Sequence, residues 1–418
     1  MAQNENVYSN SKSTQAVGGM VKLASAAFIG ALGVGIACSA ASEPQTRFAP
    51  PADRTLLIVG QELGSVADYV QHCTQCPAPA GVTTYLGFYD LLSAADGFGG
   101  LGEDAAGHSA PDADWGAGAT SAARMLAQFP DAALVLGLDI SNGRRKDGLA
   151  QIGHGLHDDK IERLATFLRA AQRPVFLRIG YEFDGMWNQG YEVRATYIAA
   201  YRRIVDGLRA RQANNVAFVW QASASPIDDV LEHGKREKLR DWYPGAAYVD
   251  WVGLSWFLRP KAQPGATRTR VPDQLELAQE VLEFARAAGK RVMIAESTPQ
   301  GYDLSTLTRS NISPIWDGAP HADTVKRSAD EIWAEWYEPL LSFIDANRAL
   351  IGAFAYINAR WDDQPMWAAP YASGYWGDSR IQANPRIQEL WLTEVRRAPW
   401  LHGGPALFTT LTASQGQR

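Results

Sequence analysis

Two glutamates stand at the ends of two similar apolar segments of the chain. The first segment starts at Pro174, turns polar at Arg178 and leads to Glu182. The second runs from Lys290 through a continuous apolar stretch to Glu296. Such segments indicate buried strands that lead into loops, and catalytic side chains collect at these strand ends in α/β barrels. Two carboxyls at one barrel mouth suit glycoside hydrolysis, in which one protonates the leaving oxygen while the other attacks or activates water.

Aromatic side chains lie close to the first glutamate in the sequence. Tyr181 and Trp187 offer flat apolar faces of the kind that pack against sugar rings. The pattern therefore predicts a carbohydrate-binding cleft, whose candidate binding residues are Arg178, Tyr181, Trp187, Trp220, Trp256, Tyr356, Trp361 and Trp367, with Asp90, Asp139 and Asn358 as candidate partners for sugar hydroxyls. Core packing is the alternative for each tryptophan, and an ion pair with Arg178 is the alternative for Glu182.

The composition excludes one class of partner. Lys plus Arg total 39 against 45 for Asp plus Glu, which gives a net charge of -6 over 418 residues. There is no basic stripe of the sort that binds phosphate backbones, so we expect no nucleic-acid partner. We expect a monomer that binds a polysaccharide or oligosaccharide.

Cysteine and histidine usage argues against a metal site or a cofactor. Cys73 and Cys76 form a Cys-x-x-Cys pair, but the sequence offers no second ligand pair to complete a zinc site. The seven histidines are scattered without ligand spacing, which disfavours a metal-dependent hydrolase. We therefore predict a local disulfide between Cys73 and Cys76, no metal and no cofactor.

The first 41 residues are typical of an export signal. Met20-Val-Lys22 precedes the apolar run 23–37, which is too short to span a bilayer comfortably, and small residues follow. A lipoprotein signal is an alternative, because Gly35-Ile-Ala-Cys38 is close to a bacterial lipobox with Cys38 as the lipid anchor; an uncleaved membrane anchor is another. We expect a secreted or periplasmic protein, or a membrane-anchored lipoprotein, with residues 42–53 as a linker.

Eight strand-like runs follow, separated by segments with helical periodicity. Their near-continuous apolar character indicates burial on both faces, as in parallel sheets. The runs are Thr55–Gln61, Val82–Phe88, Ala132–Asp139, Pro174–Glu182, Val216–Gln221, Val249–Phe257, Arg291–Glu296 and Ile351–Asn358.

Eight strand–helix repeats predict a single (β/α)8 TIM barrel over residues 54–402. A doubly wound sheet is the alternative. The long loops Tyr89–Thr120 and Ser297–Lys326 are the predicted walls of the cleft, and the first could move. Residues 403–418 form the predicted tail, of which Leu407–Arg418 is expected to be disordered.

Four motifs resemble glycoside hydrolase family 26, a family of the clan A retaining glycosidases that includes β-mannanases, β-1,3-xylanases and lichenases. They are Arg178-x-x-x-Glu182 with Gly185 and Trp187, Val219-Trp220 with Ser225-Pro226, the run from Trp242 to Gly253, and Met293-Ile-Ala-Glu296. The resemblance implies a barrel in which Glu182 is the acid/base and Glu296 the nucleophile, held about 5–5.5 Å apart for double displacement. It also implies that Arg178 stabilises the charged form of Glu296.

Three positions depart from the pattern of that family's mannanases. Tyr181 stands where they carry His, and Ser255 and Phe257 stand where they carry Asp and Tyr. The missing tyrosine normally donates a hydrogen bond to the nucleophile, and Trp256 or Tyr356 could replace it. The sequence thus predicts an exported retaining hydrolase of β-linked glycans, with a non-catalytic carbohydrate-binding barrel as the alternative.

Overall fold

A computed structural model describes residues 46–93, 97–141, 147–185, 187–188, 190–191, 193–225, 239–258, 273–310, 324–372 and 374–413. The predicted export signal of residues 1–41 and the lipid anchor at Cys38 lie outside this part of the chain. Within it, no helix has both the length and the apolar character needed to cross a membrane.

Eight parallel strands form a closed barrel in the described part of the chain. Each strand pairs with the next, and the last pairs with the first through partners such as Val59 and Tyr356, so the sheet has no open side. The predicted barrel is confirmed, and its closure rules out the doubly wound sheet. The barrel strands are β1 Thr55–Gly60, β2 Gly81–Gly87, β3 Ala133–Asp139, β4 Val175–Ile179, β5 Val216–Ala222, β6 Trp251–Trp256, β7 Arg291–Ser297 and β8 Ile351–Ile357.

Helices cover the outside of the barrel with the apolar faces that the sequence periodicity predicts. On the helix that precedes β4, for example, Ile161, Leu164 and Leu168 are fully buried. The helices are α1 Leu63–His72, α2 Ala122–Gln128, α3 Gly148–Gly153, α4 Asp158–Ala171, α5 Arg194–Ala210, α6 Leu239–Trp242, α7 Gln274–Ala287, α8 Ala329–Ile332, α9 Glu338–Ala346, α10 Pro385–Val395 and α11 Leu407–Ala413.

Alternate strand positions point into the barrel, and small side chains dominate there. One buried cluster fills this interior. Its larger members are Phe176 and Trp251, whose rings meet edge to face with centroids 5.5 Å apart. The intervening positions point outward to the helices and belong to a second, larger cluster. This alternation decides which aromatic side chains can reach the mouth of the barrel.

The floor of the barrel is built from segments on both sides of the predicted catalytic domain. Phe48, which falls in the predicted linker, is buried in the interior cluster. Leu407 and Leu411 of α11 are buried in the same cluster, although the sequence led us to expect a disordered tail there. The compact unit therefore extends beyond residues 54–402 at both ends. Burial of two leucines makes this short polar segment helical, a tertiary effect that local sequence does not reveal.

Long loops rise from the C-terminal ends of the strands. The loop after β2 carries a short hairpin of Ala113–Asp114 with Ala119–Thr120, and it contacts the loop after β8, where the backbone N–H of Met366 donates to Gly116 O at 2.8 Å. The loop after β7 carries a three-stranded sheet of Tyr302–Asp303, Thr308–Arg309 and Val325–Lys326. Residues 94–96 and 311–323 of these predicted walls lie outside the described part.

The Cys-x-x-Cys pair lies at the end of α1. Cys73 and Cys76 are bonded to each other, with their Cα atoms 5.4 Å apart. The bond joins the C-terminal cap of α1 to the segment that leads into β2. It lies outside the barrel mouth and takes no part in the site described next.

Candidate active site

Glu182 reaches the barrel mouth through an unusual turn. Strand β4 ends at Ile179, three residues earlier than its predicted end, and the chain then turns through Gly180 and Glu182, with φ angles of 53° and 51°. A Cβ atom at Gly180 would lie 2.8 Å from Cε2 of Tyr197, so only glycine fits there. A left-handed conformation is uncommon for glutamate, and such strained residues are enriched at active sites. Asn188 stabilises the turn by donating from Nδ2 to the Glu182 carbonyl at 2.8 Å.

Glu296 lies on β7 and points to the same mouth. It pairs with Ser255 of β6 just after an irregularity in the strand register. Its Oε1 accepts hydrogen bonds from Nη2 of Arg178 and, at 3.3 Å, from Nε2 of Gln221. Both donors come from fully buried side chains. The contacts favour the charged carboxylate, which is the form that a nucleophile needs.

Two tyrosine rings hold Arg178. The guanidinium carbon lies 5.2 Å from the ring centroid of Tyr85 and 5.0 Å from that of Tyr181, a distance suited to cation–π attraction. Gly137 makes room for this arrangement, because a Cβ there would lie 2.5 Å from Cδ1 of Tyr85. Arg178 pairs with Glu296 and not with Glu182. The ion pair considered for Glu182 is therefore wrong.

Glu182 accepts two hydrogen bonds in a buried position. Ser255 Oγ donates to Oε1 at 2.6 Å, and Trp187 Nε1 donates to Oε2 at 2.8 Å. Burial, with the nearby Glu296 as the second cause, raises the pKa of Glu182 to about 8. A carboxyl that keeps its proton at neutral pH can act as a general acid, while a partner held in its ionised form attacks.

In the mannanase pattern a tyrosine at the position of Phe257 donates a hydrogen bond to the nucleophile. The sequence suggested Trp256 or Tyr356 as its replacement, but other side chains supply this hydrogen bond. Tyr356 is buried on the outer face of β8, where its hydroxyl donates to Ser379 O at 2.5 Å and bonds the hydroxyl of Tyr337. Trp256 is buried against Phe343 on the outer face of β6. Neither contacts Glu296, so both assignments are wrong, and Arg178 and Gln221 are the side chains that donate to it.

Two more tryptophans that were predicted to bind sugar have structural roles instead. Trp220 is fully buried on the outer face of β5 and stacks on Phe183 with centroids 4.5 Å apart. Trp361 is buried in the loop after β8, where its Nε1 donates to Ser379 Oγ at 3.0 Å. Strand alternation explains Trp220, because its neighbour Val219 already fills the barrel interior.

Two tryptophans keep exposed surface at the mouth. Trp187 is 48% exposed beside Glu182, and the half-buried Trp367 packs edge to face on Trp361. Trp115 was not among the predicted sugar-binding residues, but it is 39% exposed in the loop after β2. The sequence did indicate an exposed position for it, because an isolated tryptophan between Asp114 and Gly116 in a polar loop has no hydrophobic core to pack into.

The three candidate partners for sugar hydroxyls differ in environment. Asp139 lies at the end of β3, where it accepts from the Ser141 backbone at 2.8 Å, and burial raises its pKa. Asp90 ends a short 3-10 turn after β2 and is partly buried. Asn358 is fully buried and accepts from the Ile381 backbone at 2.8 Å, so it is a structural residue. No group of three or more His, Cys, Asp or Glu side chains within the described ranges is placed to hold a metal ion.

Comparisons with known proteins point to one family of enzymes. Residues 153–312 match the model of glycosyl hydrolase family 26. The chain is 34% identical over 364 residues to the β-1,3-xylanase TXYA of a Vibrio species, which covers 86% of this chain and 69% of that protein. It is 32% identical over 395 residues to a β-1,3-xylanase of an Alcaligenes species, covering 94% and 73% respectively.

Solved structures show the same fold. A β-mannanase from Bacteroides ovatus superposes with a TM-score of 0.51 at 16% identity, covering 85% of this chain and 94% of that one. An endo-β-1,4-mannanase from Cellulomonas fimi gives a TM-score of 0.51 at 14% identity, covering 85% and 74%. At these identities the likeness concerns the barrel and not the substrate.

Proposed function

Since the chain belongs to glycosyl hydrolase family 26 and is therefore a glycoside hydrolase acting on O-glycosyl bonds, we propose that it is an endo-acting, retaining β-1,3-xylanase. The observation that carries the chemistry is the environment of the two carboxyls: Glu182 is buried with a raised pKa, while Glu296 is bonded to a buried arginine. Membership of this family favours an enzyme over the non-catalytic sugar-binding barrel.

The mechanism follows from these two environments. Glu182 donates its proton to the glycosidic oxygen as the bond to the anomeric carbon breaks, and Glu296 attacks that carbon to form a glycosyl ester. The ionised Glu182 then takes a proton from water, whose oxygen attacks the anomeric carbon and releases Glu296 as a carboxylate. Two inversions at one carbon retain its configuration. We expect the two carboxyls to lie about 5–5.5 Å apart, the separation this mechanism requires.

The proposed substrate rests on two observations. The two xylanase relatives are 34% and 32% identical to this chain, whereas the mannanase structures are 16% and 14% identical. Two of the three positions that depart from the mannanase pattern also lie at the carboxyls. Ser255 contacts Glu182, and Tyr181 packs on the guanidinium of Arg178. Trp187, Trp367 and Trp115 are the proposed stacking surfaces for the chain of sugars.

Hydrolysis of a panel of soluble glycans tests the substrate. We expect reducing ends to appear fastest from β-1,3-xylan, with short oligosaccharides released from the interior of the chain, and slower or no release from β-1,4-xylan and β-1,4-mannan. Proton NMR of the first product should show the anomeric configuration of the substrate. Equal activity on mannan would overturn the substrate, and an inverted first product would overturn the mechanism.

Removing either carboxyl tests the catalytic pair. Glu182→Gln and Glu296→Gln should each lower kcat/KM by about three orders of magnitude or more while the protein stays folded, because each removes a group that acts at the reacting bond. Glu283→Gln is the matched control, since Glu283 is exposed on α7 away from the mouth. Near-normal turnover in either active-site variant would contradict the assignment.

We also propose that the N-terminal 41 residues direct export, with lipid attachment at Cys38 as one form of it. The basis is the sequence alone: an apolar run after Lys22 that ends in small residues. Expression of the whole chain in a bacterium, followed by fractionation and mass spectrometry of the mature N-terminus, should find residues 1–41 removed, or residues 1–37 removed with a lipid on Cys38 in the lipidated form. An intact N-terminus on cytoplasmic protein would contradict export.

A further inference from the structure

Ser255 contacts Glu182, Gln221 contacts Glu296, and the two side chains contact each other. We propose that they act as a positioning pair: Gln221 holds the Ser255 hydroxyl in the one orientation that donates to Glu182, and so links the acid/base to the nucleophile. The inference rests on the proposed catalytic roles of Glu182 and Glu296, and it adds two residues to them. Ser255 stands where the mannanase pattern has Asp, so the pair is absent from that pattern.

The hydrogen bonds form a continuous path from one carboxyl to the other. Nε2 of Gln221 donates to Glu296 Oε1 at 3.3 Å and to Ser255 Oγ at 3.0 Å, which uses both of its protons. Ser255 Oγ donates in turn to Glu182 Oε1 at 2.6 Å. A hydroxyl has one proton, and Gln221 approaches Ser255 Oγ with a donor and Glu182 with an acceptor, so in this arrangement the proton points to Glu182.

The opposite orientation of the Gln221 amide would break this path. Its Oε1 would then face Glu296 Oε1, and two acceptors without a proton between them repel. In the orientation observed, Oε1 is buried without a hydrogen-bond partner among the described residues. If the side chain at position 221 served only for packing, methionine would fill similar space without the cost of a buried oxygen that has no hydrogen bond. The amide is therefore best explained by its two N–H contacts.

The strands around the pair leave it little freedom. Ser255 and Gln221 are buried on neighbouring strands, β6 and β5. Gly253 lies opposite Gln221 in the register, and a Cβ there would come within 2.8 Å of the Cβ of Gln221. Glycine at this position therefore leaves room for the glutamine side chain to reach both Ser255 and Glu296.

Double displacement requires Glu182 to be an acid in the first step and a base in the second. The Ser255–Gln221 pair helps Glu182 to change between these two roles. The charge of Glu296 favours the protonated form of Glu182 at the start, and this charge disappears when Glu296 becomes an ester. The hydrogen bond from Ser255 remains and favours the ionised form. Ser255 thereby helps Glu182 to serve as the base in the second step.

The pH dependence of kcat/KM tests the pair, because its basic limb reports the acid in the free enzyme. Removing a hydrogen bond to the carboxylate leaves that form less stable, so Ser255→Ala should move the basic limb up by about one pH unit. Gln221→Met should move it in the same direction, since the freed hydroxyl can then turn to accept a hydrogen bond from protonated Glu182, which favours the protonated form. In the double variant we expect no shift beyond that of Ser255→Ala, because Gln221 acts on Glu182 through Ser255.

Ser297→Ala is the matched control. Ser297 is a buried serine next to Glu296, but its hydroxyl donates to Ala355 O at 2.6 Å and not to a carboxyl. Its removal should leave the basic limb where it is. A wild-type limb in a folded Ser255→Ala enzyme, or shifts that add in the double variant, would overturn the pair.

The profiles are measured on the β-glycan that the wild-type enzyme hydrolyses fastest, so an error in the proposed sugar does not affect the test. If the wild-type protein hydrolyses no glycan, the proposed function fails first. NMR titration of the Glu182 carboxyl in protein labelled with 13C-glutamate then still tests the hydrogen bond. An unchanged titration midpoint in Ser255→Ala would overturn the pair in that case as well.

Discussion

At the scale of single residues, the site depends on one buried cation. Arg178 has no exposed surface, contacts two tyrosine rings that also pack on each other, and bonds Glu296. A charge buried in this way is stable because its partner is also buried and because two aromatic faces replace part of the lost water. The rings therefore act on the nucleophile indirectly, by fixing the guanidinium that stabilises its charge.

Tyr85→Leu tests the role of the rings. Loss of the aromatic face should loosen Arg178, so the guanidinium should position the Glu296 carboxylate less well and kcat/KM should fall about tenfold. Tyr85→Phe keeps the ring and should keep kcat/KM close to the wild-type value, which makes it the matched control. An equal loss of kcat/KM in both variants would assign the effect to the hydroxyl, which bonds Gln61 Oε1 at 3.4 Å.

The raised pKa of Glu182 also has a consequence for stability. Its carboxyl binds a proton more tightly in the folded state, with a pKa of about 8, than at the ordinary value of 4.5. This contribution to the free energy of unfolding is complete below about pH 4.5 and is lost as the pH rises through about 8. The Glu182→Gln variant has no titrating group at position 182. Urea unfolding between pH 5 and 9 should therefore show the variant gaining stability relative to the wild type, while Glu283→Gln runs parallel to the wild type.

At the scale of elements, the structure separates what the sequence could predict from what it could not. The eight strands and the placement of both glutamates follow from apolar runs with polar ends. The inward or outward direction of Trp220, Trp256 and Tyr356 does not follow, because strands buried on both faces lack the polar alternation that reveals direction. The same strands did contain a readable signal: Gln221 and Ser255 are polar residues at the ends of apolar runs.

Helix α11 was also missed, for a different reason. It is short and rich in threonine, and it is ordered by contacts with the barrel floor and not by its own propensity. Leu411→Ala should therefore lower the free energy of unfolding by about 2–5 kcal/mol, as for other fully buried leucines. Leu156→Ala, at a position that is 67% exposed, should change it by about 0.5 kcal/mol or less. Equal effects in urea unfolding would show that α11 does not close the floor.

At the scale of the whole molecule, stability and chemistry occupy opposite ends of the barrel. The floor contains Phe48 and α11, whereas Glu296 lies near the end of β7 and Glu182 follows the end of β4, both at the C-terminal side of the barrel. Changes at the floor should therefore alter the unfolding transition with little effect on kcat/KM below it, as expected for α/β barrels. The domain limits were harder to predict than the site. The segments that form the floor need apolar residues at only a few positions, so they give a weak signal in the sequence.

The shared floor has a practical consequence for attachment. Residues 46–52 and the segment 406–413 line one groove, so both ends of the described domain leave the barrel side by side, away from the cleft. Coupling the protein to a bead or a second domain through either end should orient the cleft toward a large insoluble glycan. We expect such conjugates to retain the activity of the free protein on fibres, whereas coupling through a cysteine introduced near Trp115 should reduce it.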